Sequence, residues 1–266
     1  MLRNLFAKTL RDDRRSLLWW GGITALLAFL ITLLYPTYRD QAATFEEFWK
    51  DAPAIMRSFF GEQFDFGSPE GFLSAEIYST MAPLIFAIFA IAAGSRAIAG
   101  EEQDGTLEIL LAQPIPRRRI VLHKFAAMAT TSLLLAITLA VALLAGSAVV
   151  GMEIDAARLF GATLLTALLG LTFGSIALLI GSAMRGKGRA IGIATGLAVG
   201  TFLLNGLAPL VSWLEPLRVL SPWYWFTRST PLQNGLAAAD VAILSGIVLV
   251  AAALATVAFE RRDIAT

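Results

Sequence analysis

Six long apolar runs, separated by shorter polar stretches, organise this chain. They cover residues 17–35, 77–99, 121–150, 159–184, 190–211 and 241–259. A helix rises ~1.5 Å per residue, so ~20 apolar residues cross the ~30 Å hydrocarbon core of a bilayer, and each run is long enough. Hydrocarbon offers no partner to a peptide N–H or C=O, which leaves the helix as the form such a run takes. The pattern predicts an all-α integral membrane protein with six transmembrane helices.

Helical periodicity also marks the polar stretches. In residues 1–15, Leu2, Leu5, Phe6, Thr9 and Leu10 fall on one face, with Arg3, Lys8, Arg11 and Asp12 elsewhere. An amphipathic interfacial helix along the membrane surface is expected there, ahead of the first span. The stretch 36–76 repeats Phe45, Phe48, Trp49, Ala52, Met56, Phe59 and Phe60 at helical spacing, opposite Glu46, Glu47, Lys50, Asp51 and Arg57. It predicts an external amphipathic helix bent at Pro53. Ser68-Pro69-Glu70 has the residues of a helix start, so the second helix begins outside the bilayer. The stretch 213–240 is too apolar for a solvated loop. Pro216, Pro222 and Pro231 preclude one continuous helix, and Trp213, Trp223, Tyr224 and Trp225 suit the headgroup layer. A pair of short re-entrant or interfacial helices is expected before the sixth span. Gly188, Gly192, Gly196 and Gly200 recur every four residues along the fifth run, and Gly170 and Gly174 stand on the fourth. Such stripes let another helix approach closely, within the monomer or across a dimer.

Composition and charge narrow the function. The chain is 57% hydrophobic and 15% charged, against ~25% charged residues in a soluble domain. It has no cysteine and one histidine, His123, so no metal cluster is expected. The runs keep almost no ionisable groups away from their ends, which argues against a proton-driven carrier. The start of the chain does not look like a cleavable signal, because a mixed polar stretch precedes a run long enough to span. With the N-terminus inside, fifteen of the 21 basic residues fall on the cytoplasmic side, among them Arg185, Lys187 and Arg189. Both termini and the stretch 100–116 are therefore expected to be cytoplasmic. Residues 181–188 have the spacing of a phosphate-binding loop up to Lys187. Gly188 then stands where a Ser or Thr would bind magnesium, and a membrane helix precedes it, so no nucleotide or catalytic site is expected in this chain.

The stretch 100–116 is unlike the other connections. Glu101, Glu102, Asp104 and Glu108 form an acidic rim. Gly105 and Thr106 start a short helix with Leu107, Leu110 and Leu111 as its apolar face. Pro114 ends that helix, and Pro116 presets the restart of the next one. Arg117, Arg118 and Arg119 are expected to anchor the restart among inner-leaflet headgroups. A short acidic, amphipathic element between two spans suits a grip on something in the cytosol.

The series Glu101, Gly105, Thr106, Leu107, Glu108, Leu110, Leu111, Pro114, Ile115, Arg117 and Lys124 resembles the pattern of permease subunits of the ABC type-2 exporter family. The segment Leu220-Ser221-Pro222-Trp223-Tyr224 resembles that family's serine–proline–aromatic motif before the last span. The resemblance covers essentially the whole chain. It implies a half-transporter: a second permease copy, in a homodimer or beside a similar chain, and two copies of a separate cytosolic ABC ATPase that hold ATP and Mg. It further implies that 100–113 is the coupling helix that enters a groove on the ATPase, and that the chain itself binds no cofactor and no nucleic acid. The expected activity is export or flipping of an amphipathic substrate (drug, antibiotic, lipid or glycolipid) across the plasma membrane of a prokaryote. The alternative is a non-transporting membrane anchor or assembly factor that recruits a cytosolic ATPase.

Overall fold

The computed structural model describes residues 5–61 and 65–262, and no strand occurs among them. In chain order the helices are α1 (Leu5–Thr32), α2 (Tyr35–Asp40), α3 (Ala42–Asp51), α4 (Ala54–Phe60), α5 (Pro69–Leu73), α6 (Met81–Ser95), α7 (Glu101–Gln103) and α8 (Thr106–Leu111). They continue with α9 (Arg117–Val150), α10 (Ala156–Ala183), α11 (Lys187–Leu207), α12 (Pro222–Thr227), α13 (Pro231–Asn234) and α14 (Ala238–Arg261). Six helical units are long and apolar enough to cross a membrane: Leu5–Asp40, Pro69–Gln103, Arg117–Val150, Ala156–Ala183, Lys187–Leu210 and Ala238–Arg261. Each contains one of the apolar runs or most of it.

The start of the chain departs from expectation. Leu2 and Arg3 lie outside the described residues, and from Leu5 onward the interfacial helix is not a separate element. It is continuous with the first span as α1. The reason is local: no proline or glycine occurs between Leu5 and Gly21 to break the helix. Its apolar face is also used differently, because Leu5 is buried among Ile98, Leu107, Ile120 and Phe259 of this same chain.

The expected helix starts and bends are present. α3 stops at Asp51 and Pro53 opens α4. The Ser68 hydroxyl accepts the Gly71 N–H at 3.1 Å at the start of α5, and a π-helical turn over Ser74–Tyr78 carries the chain on toward α6. The stretch before the last span holds three short pieces rather than a pair. Pro216 opens a 3-10 turn over Glu215–Leu220, Pro222 opens α12 and Pro231 opens α13. Each proline fits the first turn of a helix, where its missing N–H has no partner to lose, and fits nowhere later.

α10 is the centre of the bundle. Of its most apolar stretch 72% is buried, against 22% for the first unit and 28% for α11 and for α14. The glycines of α10 set its distance from α6. A Cβ on Gly170 would lie 2.7 Å from the Phe86 carbonyl oxygen, and one on Gly174 would lie 2.8 Å from that of Ala90. Packing within the monomer is thus the role of this pair. α1, α11 and α14 are peripheral and show large apolar side chains outward, among them Leu18, Trp19, Leu197 and Leu249, as lipid-facing helices must.

Candidate functional site

The site is built from the chain between the second and third spans. A π-helical turn over Arg96–Gly100 leads from α6 into α7. The chain reverses at Gly105, whose φ of 69° lies in the left-handed region, and nothing stands within 4 Å of where its Cβ would be. Glycine is required here for its backbone rather than for space. α8 follows and stops at Leu111, three residues before Pro114. Pro116 caps α9, which starts at Arg117 as expected.

Ion pairs sew this segment to the rest of the bundle. Glu101 accepts a short hydrogen bond from Lys124 of α9 and another from the Thr106 hydroxyl. The Lys124 side chain is only 6% exposed. Glu102 accepts Arg262 on both carboxylate oxygens at 2.7 Å and pairs with Arg185, from the α10–α11 connection, at 3.2 Å. Arg262 also donates to the Gly181 carbonyl, at the end of α10, and its own carbonyl accepts Arg117 at 2.7 Å. Arg96 pairs with Asp13 of α1 at 2.9 Å. One terminal nitrogen of Arg262 reaches both Glu102 oxygens, a charge-assisted contact that is stronger than a neutral hydrogen bond.

The structure therefore divides the residues that the sequence groups together. Leu107 and Leu110 are each 2% exposed and face the core of this chain, with Leu111 packed at its edge. The expected apolar docking face is turned inward, since Ile98, Ile120 and Phe259 offer it a drier surface than water. Glu101 and Glu102 serve internal pairs and are not a free rim. Arg117 is likewise engaged inside, so Arg118 and Arg119 are the exposed members of that triplet. What the segment presents outward is Asp104, Glu108 and Ile109, the last 63% exposed. Ile109 was not singled out by sequence. Its signal is an apolar residue out of phase with Leu107 and Leu110 on so short a helix.

Residues 3–264 match the family described as ABC-2 family transporter protein. The chain belongs to that family. It is a multi-pass membrane protein and the permease component of a transporter, and the family implies an ABC ATPase as partner. A search of curated proteins finds no match.

Two further features of this ABC-2 permease lie away from the loop. Gly188, Gly192, Gly196 and Gly200 are exposed, and a Cβ on any of them would meet nothing within 4 Å. Of the two roles open to this stripe, packing inside the monomer is excluded. Ala190, Ala194 and Ala198 are the small residues that α11 turns inward. The Ser221–Tyr224 motif fastens the stretch before the last span onto α11. Ser221 caps α12 by accepting the Trp223 N–H at 3.2 Å and donates to the Thr201 carbonyl at 2.8 Å. Pro222 takes the first helical position. The Trp223 indole N–H donates to the Ala198 carbonyl at 3.0 Å, and its ring packs against Phe173 and Phe202. Tyr224 stays partly exposed beneath the guanidinium of Arg218, 5.3 Å from the ring centre.

Proposed function

We propose that this permease is half of an ATP-driven exporter for an amphipathic substrate (drug, antibiotic, lipid or glycolipid) in a prokaryotic plasma membrane. Separate ATPase subunits seat on residues 100–113 and drive it. The observation that carries this reading is the web around Glu101 and Glu102. A push on α8 acts at once on α1, α9, α14 and the α10–α11 connection, because ion pairs or buried leucines join the segment to each. Asp104, Glu108 and Ile109 form the part that enters the ATPase. The basic residues favour an orientation with this end in the cytosol. The open glycine stripe of α11 suits close approach of a second copy, so that two permeases and two ATPases make the complete machine.

The test uses the permease purified together with its ATPase and reconstituted in vesicles. Ile109→Asp changes only an outward side chain and is expected to abolish co-purification of the ATPase while the permease still inserts and elutes normally. Glu101→Lys is expected to leave the ATPase bound but to uncouple hydrolysis from transport, because it puts two cations side by side. Wild-type coupling in both variants would refute the role given to this segment. A complex that hydrolyses ATP yet moves no amphiphile would make the chain an anchor and not an exporter.

A further inference from the structure

The end of the bundle opposite the coupling segment holds a cavity of about 480 Å³, between α4, the start of the second span and the pieces that precede α14. Three arginines line it, Arg57, Arg218 and Arg228, and among the described residues no carboxylate does. Phe59, Tyr78 and Phe226 supply apolar wall. Only Arg228 has a carboxylate partner among the described residues: Asp240, fully buried, at 2.9 Å. Arg218 donates its Nε–H to the neutral Asn205 side chain at 3.0 Å. Arg57 donates to the Lys50 carbonyl at 2.7 Å, and its Nε is buried with no partner. Stacking on Tyr224 holds the other two heads in place, 5.3 Å and 5.9 Å from the ring centre.

We infer that this cavity binds an amphiphile through an anionic phosphate headgroup, with the arginines on the anion and the aromatic wall on the first part of its tail. The reasoning is one of charge and shape. Three cations confined together against the single carboxylate of Asp240 leave an excess of positive charge, and an anion in their midst removes that penalty. The planar fork of arginine fits phosphate oxygens two at a time, which a lysine cluster would not do. The volume exceeds what a bare phosphate needs and falls within the range of small-molecule sites. Such an amphiphile has two sources, a lipid of the surrounding bilayer or the cargo itself, and both present the same chemistry. The inference goes beyond the exporter reading, because binding is a property of this chain alone and is measured with no ATPase present.

The experiment is equilibrium binding to the full chain in a neutral maltoside detergent, read by tryptophan fluorescence, with short-chain phosphatidic acid as probe. Dioctanoylglycerol, which has the same tails and no phosphate, and inorganic phosphate are the comparison ligands. Saturable binding of phosphatidic acid, at least tenfold tighter than of either comparison ligand, is expected. The double variant Arg57→Gln/Arg218→Gln should weaken it at least tenfold, while Arg39→Gln, an exposed arginine at the same end, should not. Equal binding of the neutral glyceride, or no effect of the double variant, would overturn the inference. Phosphate alone binding as tightly would overturn the amphiphile. Should the double variant misfold, salt decides on the wild type: raising ionic strength from about 0.05 to about 0.5 M must weaken phosphatidic acid binding severalfold, and unchanged affinity counts against an anion site. To separate the two sources, the protein is reconstituted in vesicles of phosphatidylcholine alone and of phosphatidylcholine with phosphatidic acid. Protection of the site by the second mixture only is expected, and protection by both would exclude an anionic lipid.

Discussion

The two ends of this bundle are closed by different forces. At the coupling end, Asp13, Glu101 and Glu102 each meet a cation from another part of the chain, and the pairs Glu101–Lys124 and Glu102–Arg262 are mostly buried. At the far end, aromatic rings do the corresponding work: Tyr38 stacks on Phe45 with centroids 4.5 Å apart, Phe59 and Trp223 each pack on Phe202, and Trp223 and Trp225 donate their indole N–H groups to carbonyls. Arg228–Asp240 is the one ion pair that spans separate elements there among the described residues. Charge-assisted hydrogen bonds fix both distance and direction, so the segment 100–113 is tied firmly to the helices around it, as the proposed coupling role requires. Apolar contact is non-directional and grades smoothly with area, which would suit the amphiphile proposed to bind there. The contrast teaches that charges in this protein are distributed unevenly, paired at the end proposed to pass on force and left in excess at the end proposed to meet an anion.

Substitutions test the contrast in order of expected effect. The largest is Trp223→Ala, which empties the space between Phe173 and Phe202 and orphans the Ala198 carbonyl. A loss of about 3–5 kcal/mol is expected, read as the shift in detergent-denaturant unfolding. If this variant proves less damaging than the next, the far end is not held by its aromatic packing. Next comes Glu102→Ala, which strands Arg262 and leaves Arg185 without that carboxylate. About 3 kcal/mol is expected to be lost, with partial rescue by Arg262→Met, because a cation without its partner costs more than an absent pair. Full stability of Glu102→Ala would mean that solvent already screens the web. A smaller loss, about 1 kcal/mol, is expected for Gly105→Ala, since an alanine meets no atom there and bears only the left-handed backbone strain. The smallest is Ile109→Asp, whose stability should stay within about 0.5 kcal/mol of wild type even as ATPase binding is lost. An Ile109→Asp chain that unfolds would show that Ile109 belongs to the core.

Much of this was legible in the chain before its structure. Six spans, the break at Pro53, the cap at Ser68, the glycine turn before Thr106 and the restart after Pro116 follow from rules that act over a few residues. The partners of Glu101 and Glu102 did not follow, because Lys124 is 23 residues from Glu101 and Arg262 is 160 from Glu102. The same holds for the cavity. Arg57 and Arg218 look like ordinary surface arginines until the fold brings α4 beside the end of α11.

The sequence by itself determined that this chain lives in a bilayer, where most of its helices begin and end (the joined interfacial helix and first span, and the three pieces before the last span, excepted), and that the stretch 100–116 differs from every other connection. These are consequences of hydrophobic length, backbone hydrogen bonding and the fixed φ of proline, all of which operate locally. Tertiary structure alone decided which face of each helix is used. It turned Leu107 and Leu110 inward and Ile109 outward, set Gly170 and Gly174 against α6, and left the Gly188–Gly200 stripe open. In a chain this apolar nearly every helix face is greasy, and when all faces are hydrophobic only the fit of one helix against another distinguishes core from surface.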